Sequence, residues 1–340
     1  MLFDSTEEKL NTILEKACSG IPLSREEVLA LIKIDENTLE ADSIRQAGRY
    51  ISKKRFGSRA MLLCQTGIEA FPCIADCKFC SFGKSSFSEE LWKISEKELH
   101  AVTKQITGQG VFAHFLLFMH NSLFESLLSS VEKAKKYLPK GTNLVMNCGD
   151  LERSQISELK NAGVTGFYHV LRLGEEVDTT LKKRDRIQTI EFLKQEGLDW
   201  YTCCEPVGPE HCAEEIADQI MLSRELSCFQ NAVMRRICVT ASMRDRGKIS
   251  LLRSAQLVAI VALAMVGNRE LSSIAVHEPD LLGLYAGANC IYAEFGVNPR
   301  DKEKETSRSR GFSIEKCKDM LKDSGFVSLI QANEEKEIFL

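Results

Sequence analysis

The sequence predicts an α/β fold, a closed (β/α)8 TIM-type barrel behind a short helical extension. About eight short apolar runs recur from residue 58 onward, and amphipathic stretches of helical period separate them, which is the pattern of repeated βα units. The chain is also long enough, at 340 residues and 44% hydrophobic, to bury one barrel-sized core.

Residues 1–57 are expected to form the helical extension. Residues 8–17 are amphipathic, Ser24 precedes a helix with Glu27 three residues on, and 37–53 keep the helical period. The barrel is expected over 58–326, with strands at 59–65, 111–119, 142–148, 166–173, 199–204, 232–240, 271–277 and 289–293. Helical patterns fall between them at 96–107, 123–138, 154–162, 187–196, 213–225 and 251–266. A helix at 314–322 closes the fold, and 327–340 form a C-terminal tail.

The net charge of −4, with both signs interspersed, provides no basic stripe and argues against nucleic acid as a partner. The N-terminus carries Asp4, Glu7 and Glu8 where an export signal needs a basic start and an apolar run. The longest apolar stretch, 255–266, is too short to span a bilayer. A soluble, cytoplasmic protein with no membrane partner is therefore expected, and a homodimer stays open.

Thirteen cysteines in a reducing compartment imply metal binding or burial rather than disulfides. Cys18, Cys212, Cys228, Cys238, Cys290 and Cys317 have no metal-ligand spacing and are assigned no chemistry.

Chemistry in such a barrel sits at the C-terminal ends of the strands. Gln65, His120, Asn147, Cys148, Arg172, Cys204, Glu205, His277, Glu278 and Glu294 end or follow the predicted strands and converge on that mouth. Cys73, Cys77 and Cys80 lie in the loop after the first strand, spaced CxxxCxxC. Three soft thiolates so spaced can hold three corners of a 4Fe–4S cube and leave one iron open. A zinc knuckle with Cys64 as fourth ligand is the competing reading, in which the chain is a non-catalytic scaffold; no second knuckle follows.

The segment Pro72-Cys73-Ile74-Ala75-Asp76-Cys77-Lys78-Phe79-Cys80 resembles the radical S-adenosylmethionine (SAM) signature. The resemblance implies a 4Fe–4S cluster on Cys73, Cys77 and Cys80, SAM on the open iron, and Phe79 against the adenine. Gln65-Thr66-Gly67, Asn161-Ala162-Gly163 and Ala286-Gly287-Ala288-Asn289 are similar to biotin synthase and its relatives, among them hydrogenase-cofactor maturases and methylornithine synthase. By that likeness Arg186 holds the SAM carboxylate, although by itself it reads as an exposed helix-start arginine. Arg172 and Glu175 resemble a polar pair that contacts the SAM ribose and amino acid, the backbone at Met119 meets the SAM amino group, and Asn147 joins the cofactor contacts.

Biotin synthase also carries a sacrificial second cluster. Cys148 resembles its third-strand ligand and Cys203 or Cys204 falls within one or two residues of the fifth-strand one, while Phe115 to Phe118 and Ala275 to Pro279 replace the other two. Cys148, Cys203 and Cys204 are read as ligands of an auxiliary iron–sulfur cluster with Cys64 or His277, as ligands of a substrate metal, or as core thiols. Strand alternation turns only one of Cys203 and Cys204 inward.

His277-Glu278-Pro279 and 293–301 resemble the maturase of the iron-guanylylpyridinol hydrogenase cofactor, which has a wider first cysteine gap. His277 and Glu278 are candidate catalytic residues on that ground, with hydrogen-bonded structural roles as the alternative. The implied activity is hydrogen abstraction during cofactor biosynthesis, with sulfur insertion first and cofactor maturation second. The substrate is a small molecule or acyl carrier, and the electron donor a flavodoxin or ferredoxin.

Overall fold

Eight parallel strands close on themselves: β1 (Arg59–Gly67), β2 (Val111–Leu117), β3 (Asn143–Asn147), β4 (Gly166–Tyr168), β5 (Asp199–Val207), β6 (Gln230–Arg235), β7 (Ser273–Val276) and β8 (Cys290–Gly296). Each pairs with the next, and β8 returns to β1 in register from Met61 opposite Cys290 to Gly67 opposite Gly296. This computed structural model describes residues 5–88, 90–332 and 338–340. Residues 1–4 of the expected extension and 333–337 within the expected tail lie outside the described residues.

Strand alternation sorts the side chains into two cores. Met61, Leu63, Phe115, Tyr168, Tyr201 and Tyr292 fill the lumen. Phe115 meets Tyr168, Tyr201 and Tyr292 edge-on with centroids 5.1–6.4 Å apart, so packed aromatic rings occupy the interior below the mouth. The opposite residues of the same strands, such as Leu62, Cys64 and Cys204, pack with the surrounding helices.

The extension forms α1 (Ser5–Cys18), α2 (Arg25–Ile32) and α3 (Leu39–Phe56). Ser24 caps α2 in a reciprocal pair with Glu27, as the sequence pattern predicts. Helix α4 (Leu251–Ala264) is buried at every residue from Ser254 on, because β6 and β7 lie on one side of it and α3 on the other. An all-round apolar helix is thus explained by burial between layers. Among the described residues no helix is long and apolar enough to cross a membrane.

Gly48 makes the α3–α4 approach possible, since a Cβ there would stand 2.5 Å from the Ala259 Cα. At the opposite end of the barrel from the mouth, Ser328–Leu329 continues the sheet beside the start of β1 and pairs antiparallel with Ile338–Phe339.

Four strands, β4, β5, β6 and β8, end three or more residues from the expected places, β5 running on to Val207 rather than 204. β4 stops at Tyr168 rather than 173, because the Val170 carbonyl accepts from Arg186 and the following turn folds over the cysteine loop, with Thr180 N–H donating to Ala75 O at 2.9 Å. β6 stops at Arg235 rather than 240, and a short helix, Ala241–Arg246, follows. β8 runs on to Gly296 because β1 pairs with it to Gly67.

Two stability predictions follow from these layers. Gly48→Val should force α3 off α4 and lower stability by about 1–3 kcal/mol in chemical denaturation. Burial pushes the Asp199 carboxyl up to about 6, with Lys194 only partly offsetting it. A raised carboxyl favours the fold while neutral and opposes it once charged, so this contribution is lost as pH climbs from about 4 to about 6. Asp199→Asn should therefore raise stability at pH 7.5 by on the order of 1–2 kcal/mol, and the gain should vanish near pH 4.

Candidate active site

The cysteine loop begins where β1 ends. Gly67 lets the chain pass the β8 exit, because a Cβ there would stand 1.9 Å from the Val297 carbonyl oxygen. Glu69–Ala70 then pairs with Trp92–Lys93, pinning the loop's two ends together. Inside it, Cys73 N–H donates to Phe82 O at 2.8 Å and Lys84 N–H to Cys73 O at 3.0 Å. Asp76 turns the chain at φ 44°, and its carboxylate accepts from the Ser85 N–H at 2.7 Å and from the Ser85 hydroxyl.

Cys73 and Cys77 are buried and Cys80 half-buried. Backbone N–H groups face two of the sulfurs: His120 N stands 3.4 Å from Cys73 Sγ, and Phe82 N 3.4 Å from Cys80 Sγ. Burial pushes the Cys77 thiol well up, against the opposing pull of the Arg172 guanidinium. Burial, reinforced by the nearby Cys73 sulfur, lifts Cys80 to about 11.

Such sulfurs become thiolates only beside a strong cation, so the donor set fits an iron–sulfur cluster. A single zinc would draw three thiolates to roughly 3.8 Å of one another. Among the described residues, Cys73, Cys77 and Cys80 do not form a trio within 4.8 Å.

The three cysteines and the strand ends line one open cavity at the barrel mouth. Phe79, Met119, Asn147, Arg172 and Arg186 all line it, together with Cys148 and His277. Strand parity accounts for the floor: inward residues 61, 63, 65 and 201, 203, 205 continue to Gln65 and Glu205 at the mouth, and Asn147 donates to Gln65 Oε1 at 3.2 Å.

Other expected site residues are placed elsewhere. Glu175 does not line the cavity; its carboxylate accepts from Arg172 N–H at 3.0 Å and Thr179 hydroxyl at 2.5 Å, which shapes the turn carrying Arg172. Glu278 and Glu294 are locked in a ring of charges: Arg300 pairs with them at 2.6 and 2.5 Å, and Arg310 with Glu278 at 2.5 Å and with Glu294. Both carboxylates are thereby neutralised beside the cavity rather than presented to it.

The three candidate auxiliary thiols do not converge. Cys148 lies at the mouth, Cys203 packs in the lumen, and Cys204 packs on the helix side.

Asp150 escaped the sequence reading, because an aspartate after a strand carries no motif. It accepts from Arg186 Nη1 at 2.8 Å and stands 3.1 Å from His169 Nε2. Burial would raise its carboxyl, but the His169 contact and the Arg186 charge outweigh this and hold it well below the usual carboxylate range. Burial presses His169 down to about 3, so it is neutral. The Arg186 Nε and Nη2 donate to Val170 O at 3.1 and 2.9 Å, leaving the outer edge of the fork for a ligand.

No family profile matches the chain. Among curated proteins it is similar to the biotin synthase of Clostridioides difficile (strain 630), 28% identical over 187 residues, covering 52% of this chain and 57% of that protein. The Aquifex aeolicus (strain VF5) biotin synthase is 25% identical over 238 residues, covering 66% and 69%. The Sulfurihydrogenibium sp. (strain YO3AOP1) biotin synthase is 23% identical over 328 residues, covering 89% and 95%. The matched part thus spans little more than half of the first relative's length.

Two solved structures share the fold. Methylornithine synthase superposes with a TM-score of 0.76 at 17% identity, covering 92% of this chain and 96% of its own. The FeFe-hydrogenase maturase HydG from Carboxydothermus hydrogenoformans does so with 0.74 at 16%, covering 94% and 79%.

Asp150→Ala should free the Arg186 fork. The loss of this buried pair should lower stability by about 3–5 kcal/mol in chemical denaturation.

Proposed function

We propose that this chain, a biotin synthase-like member of the radical SAM family, is an enzyme that uses SAM to abstract hydrogen from a small molecule held in the barrel mouth. The family implies a 4Fe–4S cluster and SAM. When bound, they supply an electron and a sulfonium whose reductive cleavage yields a 5′-deoxyadenosyl radical. The observation that carries the reading is the loop of three cysteines, two buried and one half-buried, with N–H donors facing two of the sulfurs, opening onto the cavity at the barrel mouth.

The residues divide the work. Cys73, Cys77 and Cys80 hold the cluster, and Phe79 offers a ring to the adenine. The free edge of Arg186 takes the SAM carboxylate, oriented from behind by Asp150. Arg172, paired with Glu205 at 3.3 Å, faces the remaining polar groups of SAM, with Asn147 and the backbone at Met119 completing the contacts. The aromatic rings below the mouth keep water from the reacting face.

The reaction belongs to cofactor assembly. Separation of Cys148, Cys203 and Cys204 favours hydrogen abstraction followed by carbon–carbon bond formation or fragmentation, the maturase type. Sulfur insertion is the second reading, favoured by the likeness to biotin synthases. Under it, Cys148 or Cys203 would serve an auxiliary cluster of another build. A flavodoxin or ferredoxin in the cytoplasm supplies the electron.

Anaerobically reconstituted protein should carry about four irons per chain and release 5′-deoxyadenosine from SAM and reductant. Cys73→Ala, Cys77→Ala and Cys80→Ala should each cut that release at least a hundredfold. Release by the three variants at the wild-type rate would end this reading. An iron and sulfide count clearly above about four would favour sulfur insertion.

A further inference from the structure

Below the cavity lie three side chains the reaction above does not use together. One ligand atom each from Cys203, Glu205 and His277 lies within 4.8 Å of the other two. All three side chains are buried, at 1%, 4% and 1% exposure. Cys203 and Glu205 share the inward face of β5, two residues apart, while His277 follows β7 with its ring stacked on Tyr292 at 4.5 Å and 7°.

From these we infer a binding site for one divalent transition-metal ion of borderline softness, zinc or ferrous iron, held by the Cys203 thiolate, the Glu205 carboxylate and a ring nitrogen of His277. One sulfur, one oxygen and one nitrogen donor are what such an ion takes, and two anionic ligands balance its charge. The surroundings already support the ligands. The Tyr168 hydroxyl donates to Glu205 Oε2 at 2.7 Å and stands 3.2 Å from His277 Nδ1, while Arg172 Nε stands 3.3 Å from Glu205 Oε1. His277 Nε2, fully buried, has no hydrogen-bond partner among the described residues.

The other trio of potential ligands makes the contrast. Asp178, Glu210 and His211 lie at the same spacing, but Lys78 and Arg246 pair with Asp178 at 3.1 and 2.7 Å, and Arg236 pairs with Glu210. Side-chain cations already neutralise that cluster. At the lumen trio Arg172 pairs with Glu205, and Arg300 and Arg310 lie near enough to act on His277, but among the described residues no salt bridge reaches the thiol or the imidazole.

Three protein ligands leave a fourth position open, and Glu205 and His277 line the cavity. The ion would therefore anchor a Lewis-basic group of the substrate, a carboxylate or thiolate, below SAM. Binding displaces the Cys203 thiol proton to solvent. The site stands on this geometry and does not require the SAM reading.

The test is metal analysis of anaerobic protein, first loaded with its iron and sulfide, then given zinc and desalted. Wild type should retain about one zinc per chain with its iron unchanged. Cys203→Ser and His277→Gln should each lose most of it while keeping the wild-type iron and circular dichroism. Cobalt in place of zinc should give a thiolate charge-transfer band that Cys203→Ser abolishes.

The same measurement on a Cys73→Ala/Cys77→Ala/Cys80→Ala background reads the trio even if no cluster forms, so the two proposals fail separately. Zinc below about 0.1 per chain in both backgrounds, or equal zinc and an unchanged cobalt band in wild type and Cys203→Ser, would overturn the site.

Discussion

The closure of β8 onto β1 is the constraint on which the rest depends. Seven residues of each strand pair in register, from Met61 and Cys290 to Gly67 and Gly296. This brings together the exits of the first and last strands, far apart in sequence. The cysteine loop leaves β1 there, and Ser81 N–H donates to Pro299 O at 2.9 Å across the junction. A parallel pair this long is possible because Gly67 carries no side chain against Val297. Were the barrel open, the cysteines would face solvent and the cavity would lose a wall.

Charge around the cavity is managed by pairing behind the lining. Arg186 is set by Asp150, Arg172 by Glu205, Arg236 by Glu210, and Arg300 by Glu278 and Glu294. Buried guanidinium groups need such partners, and the partners also fix the direction in which each fork points. A polar ligand entering the mouth therefore meets donors already oriented by the protein.

Much of the architecture was legible because each barrel strand reads as an apolar run and each helix as an amphipathic one. The cysteine spacing was legible for a different reason: a loop of this length brings its own thiols together with no help from distant parts of the chain. Phe79, Met119, Asn147, Arg172 and Arg186 were placed by likeness, and the fold gathers all five at one cavity. The strand ends were misjudged where apolar residues leave the sheet to meet a side chain, as Val170 does with Arg186. Asp150 was invisible because its importance comes from Arg186, 36 positions later.

The amino-acid order by itself determined the repeated βα pattern, the thiol triplet and the alternation that lets only one of Cys203 and Cys204 turn inward. These depend on local periodicity and short spacing, which a linear sequence encodes directly. Only the tertiary structure decided that Glu278 and Glu294 are bound up with Arg300 and Arg310, and that Cys203, Glu205 and His277 meet in the lumen. Those encounters join residues from different strands and loops, and their distances are set by barrel closure rather than by any local pattern.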